Sequence, residues 1–443
     1  MTYLPNAEPE RTAMLEALEL KSVDGLFTHL PESLRLERVD LPEPLSEVEL
    51  VQYFRDLGHL NARIPPSHSF LGAGASRRFS PAIVNQVISR PDFYTTYTPY
   101  QAEASQGTLQ AIYEYQTMIA LLTGLDVSNA SLYDGATSLA EATAMAVAHL
   151  NRQNVVVAGA LHPEYAQVLQ TYSAAQNYEI LRVPAGVDGR VDMDKLERAI
   201  TQTTAAVILQ QPNFFGVLEK PQAISDLAHR AGALLIACVD PISLGLVAAP
   251  GDYGADLAVG DGQPLGIPLS FGGPYLGFIA CREELVRRMP GRLAGATVDA
   301  QGRRGFVLTL QAREQHIRRE HATSNITTNH ALMALAATVY LAHMGGSGLK
   351  QLAELSAQRA HHLAGQLVER KGYRLAFDAP FLWEFAVHTP YPAEQTQAFM
   401  LERGVLPGLP LGHFFPELAD ALLISVTELN HPRAIERFFE VLP

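Results

Sequence analysis

Two rhythms of apolar and polar residues run along this chain. From Asn129 onward, short apolar runs with strand character alternate with stretches of helical period. The order is NVVVAGAL from Asn154, a helix after Pro163, YEILRVP from Tyr178, a helix from Asp192 to Ile200, AAVILQQPN from Ala205, a helix from Ile224 to Ala231, and ALLIACVD from Ala233. Runs that stay apolar throughout imply strands covered on both faces, so the pattern specifies an α/β fold with a mainly parallel sheet between helices. After Gly277 to Cys281 and a helix expected from Arg282 to Met289, a Gly- and Arg-rich region leads to a long apolar helix starting near Asn325. Beyond about residue 345, a helix, the strand FLWEFAV and the strand ALLISVTEL read as a smaller C-terminal α+β domain. The first sixty residues are Glu- and Pro-rich, with short helical stretches such as Glu10 to Leu20 and a PEPL break at Pro42. The expected division is an N-terminal arm over 1–60, a large α/β domain over 61–345 and a small domain over 346–443.

Charge and composition narrow the function classes. The chain has 443 residues, 47% of them hydrophobic, and a net charge of -13 with no local basic run, which disfavours nucleic acid and anionic membrane surfaces as partners. The N-terminus MTYLPNAEPER is polar and acidic, unlike a secretory signal. The apolar stretch Ala331 to Met344 is short for a bilayer and contains His343, so it reads as a buried helix. Cys238 and Cys281 each end an apolar run, too few cysteines to staple a chain of this length, and a reducing cytoplasm is the expected compartment.

In open parallel α/β sheets, ligands sit beyond the C-terminal ends of the strands. DGATS, Asp134 to Ser138, opens a helix whose free N–H groups could hold a phosphate through Thr137, although such a sequence is more often only a cap. His162, past NVVVAGAL, could stack on a flat heteroaromatic ring, or be structural. Asp240, ending ALLIACVD, could pair with a ring nitrogen, or be a turn residue before Pro241. Together these three resemble the layout of fold-type I pyridoxal-phosphate enzymes. In that class a lysine some way past the Asp forms an imine with the cofactor. Here the corresponding segment reads DLAVGDGQPLGIPLSFGGPYLG, with Gln263 at that position, and the five lysines, Lys21, Lys195, Lys220, Lys350 and Lys371, all lie elsewhere. An amide cannot form an imine.

The strongest signal precedes the sheet. FYTTYTPYQAEASQG, Phe93 to Gly107, is too polar for a core strand and too aromatic for an ordinary loop. It suits a subunit contact, or a segment that offers hydroxyl donors to a neighbour's active site. This segment resembles the YTPYQPE-SQG motif of glycine decarboxylase, the P-protein of the glycine cleavage system. The likeness extends through SFLGAG at Ser69, NASLYDGAT at Asn129, VGDGQPLGIPLSFGGP at Val259, PGRLAGATVD at Pro290 and LQAREQHIRREHATSNITTN from Leu310, with VTELNH near Val426 a weaker echo.

That resemblance implies decarboxylation of glycine and transfer of the aminomethyl group to the lipoyl arm of the H-protein. The length and the missing lysine resemble the alpha subunit of the two-subunit form, with pyridoxal phosphate carried by the beta subunit and none bound covalently to this chain. An obligate hetero-oligomer follows, two alphas with two betas being the expected stoichiometry. Tyr97, Tyr100 and Gln101 would then be catalytic, and Thr98 and Pro99 would face the cofactor across the interface. Ser105, Gln106 and Gly107 would support the loop, while Thr137, His162 and Asp240 would be remnants of a cofactor pocket. No metal site is expected. Ala102 departs from the proline usual after YTPYQ, and His321 from the lysine that often precedes ATSN. The competing reading is a purely structural or H-protein-docking subunit.

Three other features have structural explanations. SFGGP, Ser270 to Pro274, reads as a turn, with a direct ligand role the less favoured alternative; Ala322 to Asn329 reads as a helix cap and first turn; and Arg313, Arg318 and Arg319 could bind a carboxylate or an acidic H-protein but more often form a salt-bridged face.

Overall fold

In the computed structural model, which describes residues 7–36, 39–61 and 64–443, the chain divides into two units, Met1–Arg63 and Ile64–Pro443. The first unit carries the helices Glu8–Ala17 and Glu47–His59, neither of which buries a residue. Ser46 and Glu49 start the second helix as a capping box: the Ser46 N–H donates to Glu49 Oε2 at 2.8 Å, and the Glu49 N–H donates back to Ser46 Oγ at 3.4 Å.

The second unit is built on a seven-stranded sheet. Its strands are β1 (Val127–Ser128), β2 (Asn154–Ala158), β3 (Glu179–Val183), β4 (Thr204–Gln211), β5 (Leu234–Val239), β6 (Leu257–Asp261) and β7 (Gly277–Cys281), in the order β1-β7-β6-β5-β4-β2-β3. The five strands from β6 to β3 are mutually parallel, and β7 is antiparallel to both neighbours. The apolar runs are apolar throughout because alternate residues enter two different cores. Val156, Val207, Leu235 and Ala237 face one core, shared with Ala336 and Tyr340. Val155, Ile208 and Ile236 face the other, shared with Leu139 and Met145. Each such buried aliphatic side chain contributes about 1.5–3 kcal/mol. Cys238 and Cys281 are buried in β5 and β7 as free thiols.

Three local expectations need correction. The region from Arg282 to Met289 holds a short 3-10 helix, Glu283–Arg288. The long apolar helix begins at Ala331 and runs to Val368, so Ala322 to Asn329 is neither its cap nor its first turn. The polar groups of that segment are committed elsewhere: Asn329 Nδ2 donates to Ala130 O and Ser131 Oγ, both at 3.0 Å, and Asn329 Oδ1 accepts from Arg292. The helix is also longer than its apolar start suggested, and by length and composition alone it could cross a membrane. Ala334, Tyr340, Leu349, Ala360 and Leu367 instead pack into the sheet's core, and Gly345, the expected domain boundary, breaks it with φ 60° and ψ 178°.

Beyond β7 comes a hairpin of β8 (Leu293–Val298) and β9 (Arg304–Thr309). Helix Gln106–Thr123 grips it by two side-chain amides. Gln116 exchanges two 2.9 Å hydrogen bonds with the main chain of Ala294, and Gln106 two of 2.8 Å with that of Phe306. The C-terminal region forms an antiparallel sheet of β10 (Arg374–Leu375), β11 (Glu384–His388), β12 (Leu409–Pro410) and β13 (Ala421–Ser425), in the order β10-β11-β13-β12.

Candidate active site

At the C-terminal ends of the parallel strands, the three residues singled out from the sequence lie around one region, and each is already engaged by the chain. His162 is the N-cap of helix Pro163–Gln176. Its Nε2 lies 2.8 Å from Ala73 O, which can only accept, and its Nδ1 accepts from the Glu164 N–H at 3.2 Å; the imidazole is therefore the neutral Nε2–H tautomer. Burial lowers its pKa, in agreement. One face of the imidazole is stacked on Tyr165, with centroids 4.7 Å apart and planes at 25°. Asp240 Oδ1 accepts from the Ile242 N–H at 2.9 Å, and burial raises its pKa.

Helix Gly135–Leu150, the candidate phosphate site, has two of its first N–H groups taken by carboxylates. The Thr137 N–H donates to Asp134 Oδ1 at 2.7 Å, and the Gly135 N–H to Asp261 Oδ2 at 3.1 Å. Burial, with a contribution from the charge of Asp134, pushes Asp261 up to about 7. Gln263 is only 1% exposed and nearly saturated. Its Nε2 donates to Ile267 O at 2.7 Å and Ser76 O at 3.1 Å, and its Oε1 accepts from the Ser76 N–H at 3.1 Å. The imine-forming position has become a strut between two segments.

These residues do not fit pyridoxal phosphate. A cavity of about 70 Å³ lies on the Asp240 side, bordered by Trp383 and Glu384, and one of about 370 Å³ lies on the Asp134 side. Gly74, Ala75, His162 and Tyr165 border both. The space beside Asp240 is about half of the roughly 150 Å³ cavity known to hold benzene, and a cofactor must reach the strand-end Asp and the helix N-terminus at once. A phosphate at that N-terminus would also meet Asp134 and Asp261, which already use two of its N–H donors.

The YTPYQ segment is the opposite in character. It is extended between the short helices Pro91–Tyr94 and Ala102–Ala104, Pro99 is buried, and Tyr97 and Tyr100 are 81% and 58% exposed. The loop precedes helix Gln106–Thr123, and the hairpin that this helix grips is preceded by Arg292. Arg292 is 5% exposed and binds Thr327 O at 2.6 Å, Asn329 Oδ1 at 3.2 Å and Tyr100 Oη at 3.5 Å. A cavity of about 300 Å³ lies between Tyr94, Tyr97, Thr98 and Pro99 on one side and Arg292 and Asn329 on the other. Gln106 supports the loop by donating to Ala102 O at 2.7 Å.

The Arg313, Arg318, Arg319 cluster is not a salt-bridged face. The Arg313 guanidinium donates to the carbonyls of Met289, Gly291 and Leu310, and none of the three makes an ion pair among the described residues. SFGGP is a turn, as expected, with positive φ from Ser270 to Gly273. Sequence reasoning missed Tyr165, Asp261 and Arg292. Tyr165 had a signal, since a residue in the first turn of the helix capped by His162 returns to its cap; Arg292 had only its place in PGRLAGATVD. No cluster that could hold a metal occurs among the described residues.

The sheet order, the small antiparallel domain and the strand-end layout define the fold of the fold-type I pyridoxal-phosphate enzymes. The fold is shared, at 16% identity and a TM-score of 0.67 over 92% of this chain and 91% of the other, with a sphingosine-1-phosphate lyase of Burkholderia pseudomallei K96243. More specifically, the chain belongs to the glycine cleavage system P-protein family, whose model matches residues 1–442. It is 51% identical over 443 residues to a "Probable glycine dehydrogenase (decarboxylating) subunit 1" of Carboxydothermus hydrogenoformans, covering 100% of this chain and 99% of the relative. A Moorella thermoacetica protein of the same name is 50% identical over 437 residues, 98% of each chain. Among solved structures, an inhibitor-bound glycine decarboxylase (P-protein) of the glycine cleavage system superposes with a TM-score of 0.91 at 43% identity, covering 100% of both chains.

Proposed function

We propose that this chain is the alpha subunit of a glycine dehydrogenase (decarboxylating) and works only together with a beta subunit that carries the pyridoxal phosphate. The full-length match to relatives named as subunit 1 supports the subunit assignment. The observation that carries the division of labour is Gln263, which stands in place of the imine-forming lysine and is bonded into the chain at both its amide atoms. Beside it, two N–H groups of the helix N-terminus are taken by Asp134 and Asp261.

In this reading Tyr97, Tyr100 and Gln101 reach the active site across the subunit interface, and Thr98 and Pro99 border the cofactor held there. The tyrosine hydroxyls supply donors to oxyanions, and the apolar loop surface excludes water once the partner covers it. Substrate is glycine, and the lipoylated H-protein receives the aminomethyl group. The cofactor, when bound by the partner, supplies the electron sink for decarboxylation. Val48, Tyr53 and Phe54 of the arm, all exposed, add apolar surface of the kind a subunit covers. A heterotetramer in the cytoplasm is the assembly and compartment this reading favours. Borohydride reduction of the complex with pyridoxal phosphate, followed by peptide mapping, tests it. Label is expected on a lysine of the partner alone, and label on any of the five lysines of this chain overturns it.

A further inference from the structure

Arg292 is a buried guanidinium without a carboxylate. It is 5% exposed, it forms no ion pair among the described residues, and its Nε has no hydrogen-bond partner. A buried cation is normally paired, because desolvation is otherwise uncompensated. The neutral acceptors it does have, Thr327 O, Asn329 Oδ1 and Tyr100 Oη, join the ATSNITTN segment and the exposed YTPYQ loop to one positive centre.

The contact with Tyr100 has a definite direction. The guanidinium carbon lies 5.7 Å from the centre of the Tyr100 ring, within cation–π range, while Nη2 is 3.5 Å from the hydroxyl oxygen, a long hydrogen bond that orients more than it binds. His316 meets the same ring edge-to-face, with centroids 6.3 Å apart. A guanidinium can only donate, so the Tyr100 oxygen accepts from it and its own proton is left to be given away from Arg292. Tyr100 as a residue is 58% exposed, which leaves it open to a group arriving from outside the chain.

We propose that Arg292 is a positioning residue that presets Tyr100 as a hydrogen-bond donor to an oxyanion, a carboxylate or a phosphate, brought to the loop across the subunit interface. The uncompensated charge of Arg292 then lies behind that oxyanion, and Tyr100 transmits it. The two sources are the carboxylate of glycine and the phosphate of the partner's cofactor. This rests on the active-site role of the loop under Proposed function.

The test uses the reconstituted two-subunit complex with R292K, R292Q, Y100F and the double variant R292Q/Y100F. kcat and KM for glycine are measured separately, with cofactor retention after gel filtration read by absorbance. R292Q and Y100F should each lower kcat/KM by about tenfold to a hundredfold, the double variant should be no worse than the poorer single, and R292K should recover part of the loss. A substrate carboxylate appears as a raised KM with cofactor retained, and a cofactor phosphate as lost cofactor. Losses that multiply in the double variant overturn the proposal, as does R292Q with wild-type KM and cofactor retention. Should R292Q fail to assemble, R292K carries the test, and wild-type behaviour of R292K beside an impaired Y100F overturns it. If Y100F and a Tyr97→Ala variant are both silent, the loop's role itself falls; if they act and the Arg292 variants do not, only the link through Arg292 falls.

Discussion

The strand-end cleft and the YTPYQ loop carry many of the same residue types and put them to opposite use. In the cleft, His162, Asp240, Asp261 and Gln263 spend their hydrogen bonds within the chain, and Tyr165 covers one face of the His162 ring. In the loop, Tyr97 and Tyr100 are exposed, and the cation behind Tyr100 has no counter-charge among the described residues. A polar group satisfied inside the fold contributes to the fold; one held rigid and left open is available to something else. Under the proposed function, the cleft keeps the layout of the class without its imine-forming lysine, and the loop is the part of this chain offered to the partner's active site.

The largest effect that would sharpen the contrast is on stability in the cleft. Tyr165→Ala removes a ring packed on His162 and joins the two compartments. It should destabilise the complex by about 2–4 kcal/mol, somewhat below the cost for a fully buried aromatic because Tyr165 is only partly buried. Tyr165→Phe, which keeps the ring, should lie within about 1 kcal/mol of wild type. Thermal melts of the reconstituted complex measure both, and an unchanged midpoint for the alanine variant would show that the stack does not fill the cleft.

A smaller effect is expected with pH. Burial pushes Glu141 and Asp261 up to about 7 from ordinary values of 4.5 and 3.8. Between about pH 4 and 7 the folded chain holds these protons and the unfolded chain does not, so each group disfavours the native state most above pH 7. Its penalty fades as pH falls through 7, and this contribution to stability should rise from pH 8 to pH 5. Glu141→Gln should flatten that part of the profile in thermal melts across the range; a profile as steep as wild type would remove Glu141 as a source.

Much of this was legible in the sequence because strands buried on both faces leave uninterrupted apolar runs. Val155 to Ala158 and Leu234 to Val239 announce themselves in that way. Gln263 was legible because one chemical group, an amine, is indispensable at its position in the class. What stayed hidden depends on partners distant in the chain. Asn329 looks like a cap until its contacts with Ala130 and Ser131 are seen, and Arg313 looks like half of an ion pair until three carbonyls claim it. Arg292 was invisible for the same reason, since its importance comes from Tyr100, Thr327 and Asn329 converging on it.

The most direct measurement is glycine turnover by the reconstituted complex with this chain carrying either Tyr97→Ala or Tyr165→Phe, with assembly and bound cofactor measured in parallel. The account predicts a loss of about a hundredfold in kcat/KM for Tyr97→Ala with assembly intact, and wild-type turnover for Tyr165→Phe. Wild-type turnover for Tyr97→Ala, with the loss appearing instead in Tyr165→Phe, would contradict it and return the chemistry of this chain to the strand-end cleft.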